Sequence, residues 1–139
     1  PVAMDGQHKF FRLKIPSSYI SDPHLQFMSA NSLEKNDVVV AISQSGTTAA
    51  LIDSVKIVQK NGAKVIGIMP GNTPLANICD FPLTIDVGVN NRISKPLTSR
   101  IAYIAVIDVL TMGVAQLKPE AQDHLYNIAD SQRSLKIDN

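Results

Sequence analysis

Cysteine is nearly absent: Cys79 is the single one in 139 residues. No internal disulfide can form and no thiolate cluster can hold a metal, which fits a reducing compartment. Net charge is nearly absent too, since thirteen basic and twelve acidic side chains leave a formal +1. No long-range field recruits nucleic acid or an anionic membrane, so any anion must be bound locally. No apolar run is expected to approach the roughly 20 residues that cross a bilayer, and PVAMDGQHKFFRLK lacks the basic start and apolar middle of a signal peptide. The expected location is cytoplasmic, with no membrane partner. Glutamate is scarce as well, Glu34 and Glu120 being the only two. The sequence starts at Pro1 rather than Met, and it is expected to be part of a longer polypeptide.

What is present reads as one α/β domain over residues 1–139, with 45% hydrophobic residues and a length sufficient for a sizeable core. Met4, His8 and Phe11 fall at helical spacing in residues 3–13, and Pro16 closes that segment. A short strand is expected at 18–21. Asp22 then caps a short helix that has Pro23 at its first position and Leu25 and Met28 on one face. Residues 37–42, DVVVAI, are apolar on both faces and read as a buried strand. A helix over 49–60 turns Leu51, Ile52, Val55 and Val58 inward and ends at Asn61 and Gly62. Further strands are expected at 64–69 and 83–86, with a short helix near 74–78 between them. Alternating helices with continuous apolar strands predict a parallel sheet covered on both faces. A long helix over 97–117 carries Tyr103, Ile104, Val106, Ile107, Val109 and Leu110 almost all round, more than one contact with a sheet requires. A second subunit is expected against it. Pro119 opens a last amphipathic helix with Leu125, Ile128 and Leu135.

The first buried strand runs into SQSGTT, residues 43–48, just where ligands gather beyond the carboxyl ends of parallel strands. A helix starting near Thr48 turns its open N–H groups and positive dipole end to that spot. Gly46 permits close approach of the backbone, and Ser43, Ser45, Thr47 and Thr48 can each donate a hydroxyl to a phosphate oxygen. The loop lacks the Lys of a Walker sequence and is not GxGxxG, so nucleoside triphosphates and dinucleotides fit poorly and a compact monophosphate fits better. Helix capping alone would need one hydroxyl, and this loop offers four.

DVVVAISQSGTTAALIDSVKIVQKNGAKVIGI, TPLANICDFPLTIDV and PLTSRIAYIAVIDVL together resemble the sugar isomerase (SIS) domain. HKFFRLKIP with PLTSRIAYIAVIDVL points to the version found in RpiR-type, HexR-like bacterial transcriptional regulators. The resemblance covers nearly the whole chain. It implies a three-layer α-β-α sandwich with a five-stranded parallel sheet of flavodoxin-like order. It also implies that the hydroxyls at Ser43, Ser45 and Thr48 hold a sugar phosphate, with Gln44 beside them. SIS domains open with a strand and a glycine-rich loop, and PVAMDGQHKFF resembles the segment immediately after that loop. The opening strand, central in the sheet, is missing from this sequence, so either upstream residues supply it or the sheet is left incomplete; the helix-turn-helix domain through which such regulators bind DNA is likewise expected outside it. HexR-like regulators respond to 2-keto-3-deoxy-6-phosphogluconate and MurR-like ones to N-acetylmuramic acid 6-phosphate; the former is the effector the resemblance implies. A homodimer or tetramer is expected.

In the loop before the long helix, Thr98 and Ser99 are expected at a second helix start, where an anion or a sugar hydroxyl could bind. Arg92, Lys95 and Arg100 lie nearby, with a solvated loop as the plainer reading for the first two. His8 and Lys9 could reach a pocket from the first helix or simply face solvent; His24 and His124 read as surface or packing residues and Cys79 as a small buried hydrophobe. Three functions fit these features. One is a non-catalytic sensor of a sugar phosphate; another is an aldose-ketose phosphate isomerase, which needs a base and an acid; the third is a module that only dimerises. Ala49 and Ala50 follow the loop where catalysis would want a Glu or His, so the expectation is no catalytic residue, no cofactor and no metal.

Overall fold

The computed structural model describes residues 1–87 and 95–135, apart from the side chains of residues 95–97 and 134. Two compact units make up the chain, Ile20–Tyr103 and a second formed from Pro1–Tyr19 with Ile104–Asn139.

The larger unit contains a three-stranded parallel sheet in the order β1-β2-β3, with β1 at Val38–Ile42, β2 at Lys64–Met69 and β3 at Phe81–Thr84. Around it come α2 (Pro23–Ser32), α3 (Ala49–Lys60) and α4 (Pro74–Ile78). The parallel α/β architecture is as expected, and three of the five implied strands lie among the described residues. Side chains alternate along β2, so Val65 and Met69 join Val55, Val58, Leu75 and Cys79 in one buried cluster while Ile68, also buried, points to the other face. Asp22 caps α2 as expected, its carboxylate accepting the Leu25 N–H at 2.9 Å.

Three expectations about these elements need correction. Residues 18–21 form no strand; the carbonyl of Ile20 there accepts the Gln26 side-chain amide at 3.1 Å. Leu25 and Met28 share one face of α2 as expected, an exposed one, while α2 reaches the core through Ala30. β1 is less buried than DVVVAI suggests, with Val38 59% exposed, since it pairs among the described residues with β2 alone. β3 begins two residues earlier than expected and includes Pro82; a strand paired on one side tolerates a residue without an N–H.

Asp80 anchors the start of β3 to β2. Its carboxylate takes the Lys64 ammonium and the Val65 N–H at 2.9 and 3.0 Å. These bonds, Lys64 first, then Val65 and the Gln59 amide, pull its pKa down to about 2. A depressed carboxyl stabilises the fold above its ordinary value of 3.8, and that contribution disappears as pH falls through about 2. In acid unfolding followed by circular dichroism, the wild type should therefore exceed Asp80→Asn in stability above pH ~4, and the gap should close toward pH ~2.

The smaller unit holds α1 (Val2–Arg12), the later turns of α5 (Lys95–Leu117) and α6 (Pro119–Ser134). Leu13, Ala115 and Ala121 form its buried cluster with Phe10, Ile15, Val114 and Leu125 around them. On α1, Met4, His8 and Phe11 face outward and Gly6, Phe10 and Leu13 inward. Lys9 is taken up by Asp5 at 2.6 Å and by Asp108.

α5 begins at Lys95, two residues earlier than expected. It buries Tyr103, Ile107, Thr111 and Ala115, four residues apart, and leaves Ile101, Val109, Met112 and Leu117 between 63% and 84% exposed. Thr98–Leu117 has mean hydropathy 1.5, long and apolar enough to cross a membrane by length and composition. This corrects the expectation that no apolar run approaches that length: Arg100 and Asp108 interrupt the run in sequence, but the helix as a whole stays apolar.

Candidate functional site

Because the three strands are parallel, the segments that leave their carboxyl ends converge on one side of the sheet. Residues 43–48 come after β1, 70–73 after β2 and 85–87 after β3.

The loop after β1 is pinned from below. Gly46 is buried with φ +65°, its N–H donates to the Ser43 hydroxyl at 3.0 Å, and its carbonyl accepts the Leu75 N–H of α4 at 3.0 Å. A methyl group on Gly46 would come within 2.3 Å of the Thr73 hydroxyl oxygen. That hydroxyl is itself fixed as the cap of α4, accepting the Ala76 N–H at 3.3 Å and donating to the Pro70 carbonyl at 3.0 Å.

Around this pinned glycine the hydroxyls divide into two kinds. Ser43 is buried, and its backbone carbonyl accepts the Tyr103 phenol at 3.3 Å. Gln44, Ser45, Thr47 and Thr48 are exposed. The Ser45 hydroxyl accepts both the N–H and the hydroxyl of Thr47, at 3.2 and 3.0 Å. Thr48 occupies the N-cap position of α3, yet its side chain makes no capping bond. The first backbone bond of that helix runs from the Ile52 N–H to the Thr48 carbonyl at 3.1 Å, so the N–H groups of Ala49, Ala50 and Leu51 precede it. Simple capping does not account for the cluster.

A cleft opens beside the loop, lined by Gln44, Pro70, Asp86, Ser99 and Tyr103 together with Ile85 and Val87. The Gln44 amide donates to the buried Ser99 hydroxyl at 3.3 Å, linking the second turn of α5 to the loop. Ser99 and the exposed Thr98 sit one turn inside α5 rather than at its start, because the helix begins earlier than expected. Asp86 is the one charged side chain among the described lining residues. Its carboxylate accepts the Gly71 N–H at 2.9 Å. The Tyr103 phenol is pushed above its ordinary pKa, by burial first and then by the Asp86 charge.

The structure thus brings together residues 43–48 with Ser99. Arg92 and the Lys95 side chain lie outside the described residues, and Arg100 is exposed. His8 and His24 are exposed, and Cys79 is buried, its thiol raised by burial and then by Asp80. Sequence reasoning missed Asp86; its place just past the end of β3 was the signal that could have found it.

The geometry is that of a parallel α/β domain whose first loop gathers four hydroxyls around a pinned glycine at a helix start, an arrangement chemically suited to an anion. The chain belongs to the SIS domain family, whose model matches residues 1–113. The HTH-type transcriptional regulator HexR of Escherichia coli K12 is 35% identical over 138 residues, 99% of this chain and 48% of that protein. The bifunctional protein glk of Burkholderia thailandensis is 40% identical over 114 residues, 82% of this chain and 18% of that protein. The structure of Vibrio vulnificus NanR, solved with ManNAc-6P, superposes with a TM-score of 0.85 over 99% of this chain and 52% of that one, at 22% identity. The fold is therefore that of the SIS domain, and the chain spans about half the length of HexR and less of the longer glk protein.

Proposed function

We propose that this chain is the effector-sensing domain of a bacterial transcriptional regulator of sugar metabolism, and that its effector is a phosphorylated sugar. The phosphate sits over residues 43–48. Ser43, Ser45, Thr47 and Thr48 donate hydroxyls, Gly46 allows close approach, and the N–H groups at the start of α3 supply the positive dipole end. Gln44, Ser99 and Thr98 lie toward the sugar. The observation that carries this reading is the helix start of α3, whose N-cap Thr48 makes no capping bond amid three further hydroxyls. Likeness to HexR supports the regulatory role, with DNA bound by a helix-turn-helix domain outside this sequence, a cytoplasmic location, and 2-keto-3-deoxy-6-phosphogluconate as the first effector to try.

The domain is read as a sensor without catalysis, since Glu34 and Glu120 are exposed and neither lines the cleft. Asp86 keeps the isomerase reading worth testing, as a carboxylate in the cleft could serve as a base. In the full-length protein, the effector should change operator affinity by at least about tenfold, within the usual range of allosteric coupling, and chromatography of the same mixtures should find no isomerised sugar. Turnover would move the protein to the isomerases.

Dimerisation is assigned to the outer face of α5. Ile101, Val109 and Met112 lie on one stripe too apolar to be left to water in the working protein. Met112→Glu should shift the full-length protein toward monomer in sedimentation, and an unchanged distribution would exclude this face.

A further inference from the structure

A carboxylate in a cleft that is to receive a phosphate needs an explanation, because two negative groups side by side repel. Asp86 stands after β3, whereas the hydroxyl loop stands after β1, with β2 between them. The cleft therefore has two chemically different ends. At its Gln44 end it adjoins residues 43–48, whose hydroxyls and helix N–H groups suit an anion. The other end offers an acceptor. Of the Asp86 oxygens, Oδ1 takes the Gly71 N–H at 2.9 Å, and Oδ2 lies so close to Gly71 that an added methyl would come within 2.8 Å of it. An ionised carboxylate has about four lone-pair sites, so one backbone bond leaves capacity for further donors. Asp86 is exposed to the cleft, and hydroxyl groups are the donors that a sugar brings.

Resting on the phosphosugar reading of the loop, we infer that Asp86 is a specificity-determining residue that accepts hydroxyls of the sugar and so fixes which end of the ligand faces away from residues 43–48. Its bond to the Gly71 N–H holds the carboxylate in place before ligand arrives, which lowers the ordering cost of each hydroxyl bond. The same charge keeps the phosphate at the other end. Sugar recognition and phosphate recognition are then separable in this cleft, one belonging to the loop after β3 and the other to the loop after β1.

The test uses the full-length protein with glucose 6-phosphate, glucosamine 6-phosphate and 2-keto-3-deoxy-6-phosphogluconate, with inorganic phosphate as competitor. Wild type, Asp86→Ala and Asp86→Asn are compared by titration, each first shown to melt as a folded protein. The expected result is a loss of about tenfold or more in sugar-phosphate affinity for Asp86→Ala, the size of a lost charged hydrogen bond. Inorganic phosphate should bind all three within about twofold, and Asp86→Asn, which keeps one acceptor oxygen, should fall between. Sugar phosphate and inorganic phosphate weakening together in Asp86→Ala, or neither changing, overturns this inference while leaving the phosphate loop standing. Wild-type turnover lost in Asp86→Ala overturns it in favour of proton transfer. A folded wild type that binds none of the probes contradicts the loop reading and this one with it.

Discussion

Gly46→Ala should destabilise the protein by roughly 2–5 kcal/mol and abolish sugar-phosphate binding. Two costs combine. An L-residue in the left-handed region that Gly46 occupies costs roughly 1–2 kcal/mol, and φ here is +65°. The new methyl would also overlap the Thr73 hydroxyl oxygen, Cβ and Cγ2 at 2.3 to 2.8 Å. Thr73 is β-branched and fixed by its bonds to Pro70 and Ala76, so it yields little, and overpacking of this kind costs roughly 1–3 kcal/mol. Urea unfolding of both proteins measures the difference. A variant within about 0.5 kcal/mol of wild type would mean that the loop is not held as described.

Ser43→Ala and Ser45→Ala should part company. Both remove a hydroxyl proposed to bind phosphate, and a hydrogen bond to a charged group contributes about 1.5–3 kcal/mol, so affinity should fall by roughly 10- to 150-fold in each. Ser43 also accepts the buried Gly46 N–H, and its loss strands that donor at a cost of about 1–3 kcal/mol. Ser45 bonds Thr47 at an exposed site, where water can replace it. Stability should thus drop in Ser43→Ala and hold in Ser45→Ala. Calorimetric titration with thermal melts reads both quantities; equal stability in the two variants would contradict the arrangement, and unchanged affinity would remove the serines from the site.

The residues that spoke clearly in the sequence did so for local reasons. SQSGTT joined strand chemistry to a helix start within six residues, and β2, α3 and α4 have the bounds expected from their apolar spacing, Asn61 and Pro74. What was hidden depended on neighbours. The burial of β1 depends on what pairs with its second edge, which no periodicity within Val38–Ile42 reports. β3 starts at Phe81 because it sits beside Ile66 in the register of the sheet, a fact about β2 rather than about FPLT. The need for glycine at 46 is fixed jointly by its backbone angle and by Thr73, 27 residues away, of which the sequence shows only the glycine. Asp86 looked like the end of a strand until the sheet placed it across β2 from the hydroxyl loop. The outward face of α5 was legible as apolar excess, since that needs only composition.

One measurement tests the central claim most directly: calorimetric titration of the full-length protein with 2-keto-3-deoxy-6-phosphogluconate and hexose 6-phosphates, each beside its unphosphorylated counterpart, with product analysis of the same samples. The prediction is binding that requires the phosphate and leaves the sugar unchanged. Equal binding of the unphosphorylated sugars, or no binding by a folded sample, would contradict it.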